Sequence, residues 1–178
     1  MPTLSRGNSA VERLCKNAAM LALAMIFSFV EHLVPLSLLI PLPGVKLGLA
    51  NVVITALFFL ASPLDALIVS AARIGLSALL FGTPVSLMFS AFGGLCAYLF
   101  LWICRPFYDR FFSFVGVSVL AATGHHFGQI LAAVILFDNG VLLTYLPILL
   151  LAGILMGGIT GLLLNTMAPR LQKLFKRG

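Results

Sequence analysis

The sequence predicts an all-α integral membrane protein, a bundle of six transmembrane helices with both termini on the cytoplasmic side. Two observations carry that prediction. Of 178 residues, 61% are hydrophobic and only 9% charged, with a mean hydropathy of +1.14. A soluble domain of this size needs roughly a quarter of its residues charged. The second observation is a set of long charge-free stretches, Leu47–Leu64, Ile74–Cys104, Phe111–Phe137 and Asn139–Pro169, against a need for about 20 apolar helical residues to cross a bilayer.

The predicted spans are 17–36, 47–61, 64–81, 84–104, 113–137 and 141–167, together one transmembrane domain over residues 1–178. Their ends follow breakers at Pro41-Leu42-Pro43-Gly44, Ser62-Pro63, Gly82-Thr83-Pro84, Arg105-Pro106 and Asp138-Asn139-Gly140, each of which favours a turn over continued helix. The first apolar run reaches full spanning length and no small-residue cleavage site closes it, so it reads as a span and not a cleaved signal. Span two, with 15 predicted residues, is short. Orientation comes from the basic residues. Arg6, Arg13 and Lys16 precede span one, Arg105 and Arg110 follow span four, and Arg170, Lys173, Lys176 and Arg177 follow span six. An even number of spans puts all of these on one side, which the positive-inside rule makes cytoplasmic. The localisation read from this is the cytoplasmic membrane, with the basic tail anchoring on anionic lipid.

The net charge of +6 does not read as nucleic-acid binding, because the basic residues form no patch with interleaved aromatics and topology explains them. The three cysteines, Cys15, Cys96 and Cys104, have no CxxC spacing and read as small apolar residues. Small-residue stripes predict close helix packing: Gly153, Gly157 and Gly161 on span six, Gly124, Gly128 and Ala132 on span five, and Ser86, Ser90 and Gly94 on span four. Packing within the bundle is the preferred reading over a dimer interface.

Ionisable and amide side chains at membrane depth are costly and read as functional. The candidates are Glu31, His32, Lys46, Asn51, Arg73, His125, His126 and Gln129. At about 1.5 Å of rise per residue, Glu31 lies roughly 21 Å up span one, Asn51 roughly 6 Å below the outer end of span two, and His125 and Gln129 roughly 18 and 24 Å up span five. Arg73 is near mid-membrane. Most therefore share the outer half, which predicts one outward-opening pocket. Plainer readings compete: a buried Glu31–Arg73 ion pair, Lys46 snorkelling to the headgroups, and an interhelical hydrogen bond from the face shared by His125 and Gln129. His125 and His126 point about 100° apart on a helix, so no metal site is expected, and no cofactor. The five acids (Glu12, Glu31, Asp65, Asp109, Asp138) include no DDxxD cluster, and P-loop and GxSxG motifs are missing. Catalysis by this chain is not expected.

The segment Pro43-Gly44-Val45-Lys46-Leu47-Gly48-Leu49-Ala50-Asn51, after a first span containing a Glu, resembles the Gx transporter family, also labelled heptaprenyl diphosphate synthase component I. The resemblance continues through Arg73, Leu80-Phe81-Gly82, Phe89-Ser90-Ala91-Phe92-Gly93-Gly94, Val115-Gly116-Val117-Ser118, Gly124-His125-His126-Phe127-Gly128-Gln129 and Tyr145-Leu146-Pro147. His126 departs from the family pattern, which carries Asn there. That family in turn is similar to the S components of energy-coupling factor transporters. The resemblance implies a six-span substrate-binding subunit whose Ala18 and Ala22 dock on a transmembrane coupling subunit energised by ATPases, with Lys46 and Asn51 lining or gating the pocket. The ligand implied by Lys46 and Arg73 against Glu31 is anionic or zwitterionic with an apolar body. Two other functions stay open: a non-catalytic membrane subunit of prenyl-chain or quinone metabolism, and a scaffold in a flavin–quinone electron-transfer assembly.

Overall fold

The structure is a computed structural model that describes residues 4–33 and 48–176. Six α-helices run in order: α1 (Leu4–Leu33), α2 (Asn51–Leu60), α3 (Pro63–Phe81), α4 (Pro84–Cys104), α5 (Phe114–Phe137) and α6 (Leu146–Lys176). Short 3₁₀ turns, Arg105–Phe107 and Gly140–Tyr145, precede α5 and α6.

The breakers act as the residue chemistry requires. Ser62 caps α3 by accepting from the Leu64 N–H at 3.2 Å, ahead of Pro63 at the first helical position. Thr83 and Ser86 form a reciprocal capping box at the start of α4. Asp138 takes a left-handed conformation to end α5, and the Asn139 side chain accepts from the Val141 N–H at 3.0 Å. The Pro41–Gly44 breaker lies outside the described residues.

Among the described residues, five segments are long and apolar enough to cross a membrane: Ala10–Leu33, Pro63–Phe81, Pro84–Phe107, Phe114–Phe137 and Gly140–Phe175. The sixth helix, α2, has 10 residues, about 15 Å, which is half the hydrocarbon thickness. Six helices thus occupy the positions of the six expected spans, and five of them have spanning length. Exposure is inverted relative to a soluble protein. Leu79 is 84% exposed and Leu14 and Leu80 are each 69% exposed, while Thr55, Ser77, Ser118, His126 and Gln129 are buried. Lipid is the solvent that makes this arrangement stable. The chain is a multi-pass membrane protein.

α5 is the central helix, packed along α4 on one side and α6 on the other. Glycines set that spacing. A Cβ at Gly157 would lie 2.5 Å from the Val119 Cα, and one at Gly161 would lie 2.5 Å from the Val115 Cα. Gly128 meets the backbone of Phe92 on α4, and Gly124 the Phe100 ring. The small-residue stripes of spans five and six therefore lie at contacts inside the bundle. By contrast α1 packs on α3 and, less extensively, α2. Its Ala24 and Ser28 face inward and its Ala18 and Ala22 face outward. One core cluster, including Met20, Ala24, Leu57, Val69, Leu101 and Leu164, joins all of the first four helices to α5 and α6; a second, of Phe89, Ile130, Ala133 and Leu149, sits between α4, α5 and α6.

Candidate functional site

Gly48-Leu49-Ala50-Asn51 builds the site's floor. Gly48 has φ +82, a left-handed conformation that suits glycine, and from it the chain turns into α2 through N–H bonds from Asn51 to Gly48 (2.9 Å) and Val52 to Leu49 (3.1 Å). That turn aims the Leu49 N–H at Glu31 on α1, whose Oε1 accepts it. A backbone N–H at the head of a half-length helix has no water to serve it inside a bilayer, so a side-chain acceptor is required; Glu31 supplies it and also meets the positive end of the α2 dipole.

Arg73 approaches from α3. Its Nη1 donates to Ser28 Oγ at 3.5 Å, one turn before Glu31 on the same face of α1, and the Glu31 charge acts on it electrostatically. Ser77, one turn on, donates its hydroxyl to the Arg73 carbonyl. Asn51 and His125 complete the group: a Cβ at Gly48 would sit 3.2 Å from Asn51 Nδ2 and 3.8 Å from His125 Cδ2. His125 reaches this position because α4 offers Gly93, where a Cβ would lie 2.7 Å from the imidazole Nδ1. Glu31, Asn51, Arg73 and His125 are all buried. Asn51 Nδ2, Arg73 Nε and Arg73 Nη2 have no hydrogen-bond partner among the described residues.

The remaining sequence candidates fall elsewhere. Gln129 pairs with His126, its Oε1 lying 2.9 Å from His126 Nδ1. Its partner is thus on its own helix at i−3, not across the bundle, and His126 packs toward Gly153 of α6, whose Cβ would lie 3.0 Å from the ring. Lys46 lies outside the described residues. His32 is exposed beside Phe81, with ring centroids 5.4 Å apart. Ala18 and Ala22 are exposed on the outer face of α1. No group of three or more His, Cys, Asp or Glu with metal-binding geometry is found among the described residues.

Sequence reasoning missed a second cluster at the opposite, basic end. Arg13 Nε donates to both oxygens of buried Asp65 at 2.9 and 3.1 Å, and Asn17 Nδ2 donates to Oδ1 at 2.6 Å. These groups line an open cleft of ≈ 390 Å³ with Glu12, Lys16, Ser62 and Phe175. A neighbouring cleft of ≈ 400 Å³ is lined by Phe59, Tyr108, Asp109, Ser113, Asn165 and Gln172. There, partial burial, with the Asp109 charge adding, pushes the Tyr108 phenol up to about 12. The available signal was Asp65 itself: an acid just inside the Ser62-Pro63 helix start, facing a basic N-terminal segment with Arg13 and Asn17 at i, i+4.

An apolar helical exterior around a buried polar cluster defines a multi-pass membrane protein. Its affiliation is specific: the chain belongs to the family described as heptaprenyl diphosphate synthase component I, whose model matches residues 20–167. No curated protein and no solved structure matches the chain.

Proposed function

We propose that this protein is a non-catalytic, membrane-embedded binding and uptake subunit for a small anionic or zwitterionic ligand with an apolar body, similar in role to the S component of an energy-coupling factor transporter. Its pocket is the Glu31–Asn51–Arg73–His125 group, opening away from the basic end. The basic end is cytoplasmic, so both termini are inside and the pocket faces out. Energy comes from partner subunits, a transmembrane coupling protein meeting the Ala18/Ala22 face and associated ATPases, since no nucleotide-binding motif is present in the sequence.

The observation that carries this reading is the excess of buried donors. Arg73 Nε and Nη2 and Asn51 Nδ2 lack partners among the described residues, and such groups in an apolar interior call for an acceptor. Native mass spectrometry of gently solubilised protein tests it. A small-molecule adduct is expected on the wild type and lost in Arg73→Ala, with the bundle still monodisperse; an adduct unchanged in that variant sinks the pocket assignment.

A second reading rests on the family description, which names one component of a prenyl diphosphate synthase. In it the chain is a non-catalytic membrane subunit that holds an isoprenoid tail. An apolar groove of ≈ 350 Å³ between α3 and α4, lined by Leu67, Ala71, Ile74, Gly75, Ala91 and Leu95 among others, supports it. A co-purified isoprenoid in the same spectra, in place of a polar adduct, selects this reading.

A further inference from the structure

The ligand-binding reading above has a chemical consequence at Glu31. We propose that the Glu31 carboxylate is the resident occupant of an anion subsite, and that a ligand's acid group binds by taking its place while Glu31 accepts a proton from the aqueous phase. The inference rests on that reading of the same site and adds the ligand class and a coupled proton.

The subsite is made of donors. The Leu49 N–H at the head of α2 points into it and is taken by Glu31 Oε1. Arg73 adds Nε and Nη2 and Asn51 adds Nδ2, all without partners among the described residues, on side chains more than nine-tenths buried. A planar guanidinium and a half-helix N-terminus are the two protein devices best matched to a carboxylate or phosphate. In membrane carriers a broken helix end of this kind meets an anionic substrate group near the bilayer midplane.

A second anion cannot enter while Glu31 stays ionised beside it, because two adjacent acid groups in one low-dielectric site do not both hold a charge. Displaced from the Leu49 N–H, Glu31 loses a donor to its charged form, and it is then the member of the pair that protonates. No covalent bond changes: one anion and one proton enter together, and Arg73 keeps its charge throughout. Around Glu31, Arg73 of α3 couples to it electrostatically, and His125 of α5 lies beside Gly48, next to the Leu49 that donates to Glu31. α2 has no ionisable side chain, and α4 presents Gly93 at this level.

Hexanoate supplies an acid group on an apolar body, and hexanol is its uncharged counterpart. Binding to the full chain in nanodiscs is measured between about pH 5 and 8, with proton uptake read by a pH dye in weak buffer. Hexanoate affinity is expected to fall about tenfold per pH unit where Glu31 is ionised, with one proton taken up per hexanoate; hexanol shows neither effect. Glu31→Gln is expected to bind hexanoate about tenfold or more tightly at neutral pH, without proton uptake. pH-independent binding in the wild type overturns the proposal while leaving the binding reading intact, provided Arg73→Ala still abolishes it. Proton uptake that persists in Glu31→Gln assigns the proton to His125 and also overturns it. Hexanoate that binds neither wild type nor Glu31→Gln overturns the anion subsite itself. If Glu31→Gln fails to fold, His125→Gln replaces it: proton uptake lost in that variant overturns the proposal, and uptake retained supports it.

Discussion

The seam between α5 and α6 allows a sharp test, because two adjacent glycines on α6 differ in surroundings. At Gly157 a Cβ would lie 2.5 Å from the Val119 Cα and 2.9 Å from both the Val119 N and the Ser118 carbonyl oxygen. Every one of those atoms is backbone, so no side chain can rotate away. Ordinary carbon contacts fall at about 3.5–4.0 Å, so Gly157→Ala must push the two helices apart by about 1 Å locally. Overpacking of that kind costs about 1–3 kcal/mol. At about 2–4 °C per kcal/mol for a chain of this length, the thermal midpoint falls by roughly 2–12 °C. Gly158 has nothing within 4 Å of its Cβ position, so Gly158→Ala gains helix propensity worth up to about 1 kcal/mol and leaves the midpoint unchanged or slightly raised. Thermal scanning of both variants in detergent, with monodispersity checked by gel filtration, reads the difference directly. Equal midpoints for the two alanine variants would refute the claim that glycine spacing holds this seam together.

At the basic end, Asp65→Ala removes the acceptor of Arg13 and Asn17; with Arg13 half-exposed the ion pair itself contributes about 1 kcal/mol or less, and a drop of about 1–2 kcal/mol including the Asn17 bond is expected by denaturant titration. Tyr108 keeps its proton to about pH 12, whereas the unfolded chain releases it near 10; stability therefore falls as pH rises through that window, and ultraviolet titration of Tyr108→Phe against wild type shows a loss of tyrosinate signal confined to its upper end. Cys15 is exposed near the start of α1, so a membrane-impermeant maleimide is expected to label it in inverted vesicles and not in intact cells. The reverse pattern would place the basic end outside.

Helix positions were legible wherever local chemistry decides them. Span four, read as 84–104, coincides with α4 because Thr83-Pro84 and Arg105-Pro106 mark both ends. The outer helices run longer than expected. α1 begins at Leu4 and α6 continues to Lys176 through Pro169, since hydropathy registers where lipid ends and not where backbone hydrogen bonding does. Pro169 removes only the bond to the Asn165 carbonyl, beyond the apolar core. The depth estimate was enough to gather Glu31, Asn51, Arg73 and His125, because helix rise alone sets axial level. It did not reveal that Gln129 bonds to His126, because positions i+3 and i+4 are equally near on a helix and the side-chain rotamers choose between them. Ser28, with Ala24 on one face of span one, reads as ordinary packing for a related reason: a small hydroxyl in an apolar run gives no signal of a polar partner until Arg73 is seen to reach it.

The glycine seams draw α4, α5 and α6 into one closely packed slab, against which α3 and the half-length α2 pack, with α1 paired to α3. His125 belongs to the slab, Glu31 and Arg73 to the pair, and the Leu49 N–H to the link. A site divided in this way works as a gauge of the fit between two bodies. A slide of α1 and α3 together by one ångström leaves each helix and the Arg73–Ser28 contact intact, and changes the distances from Glu31 to the Leu49 N–H and from both charged groups to His125.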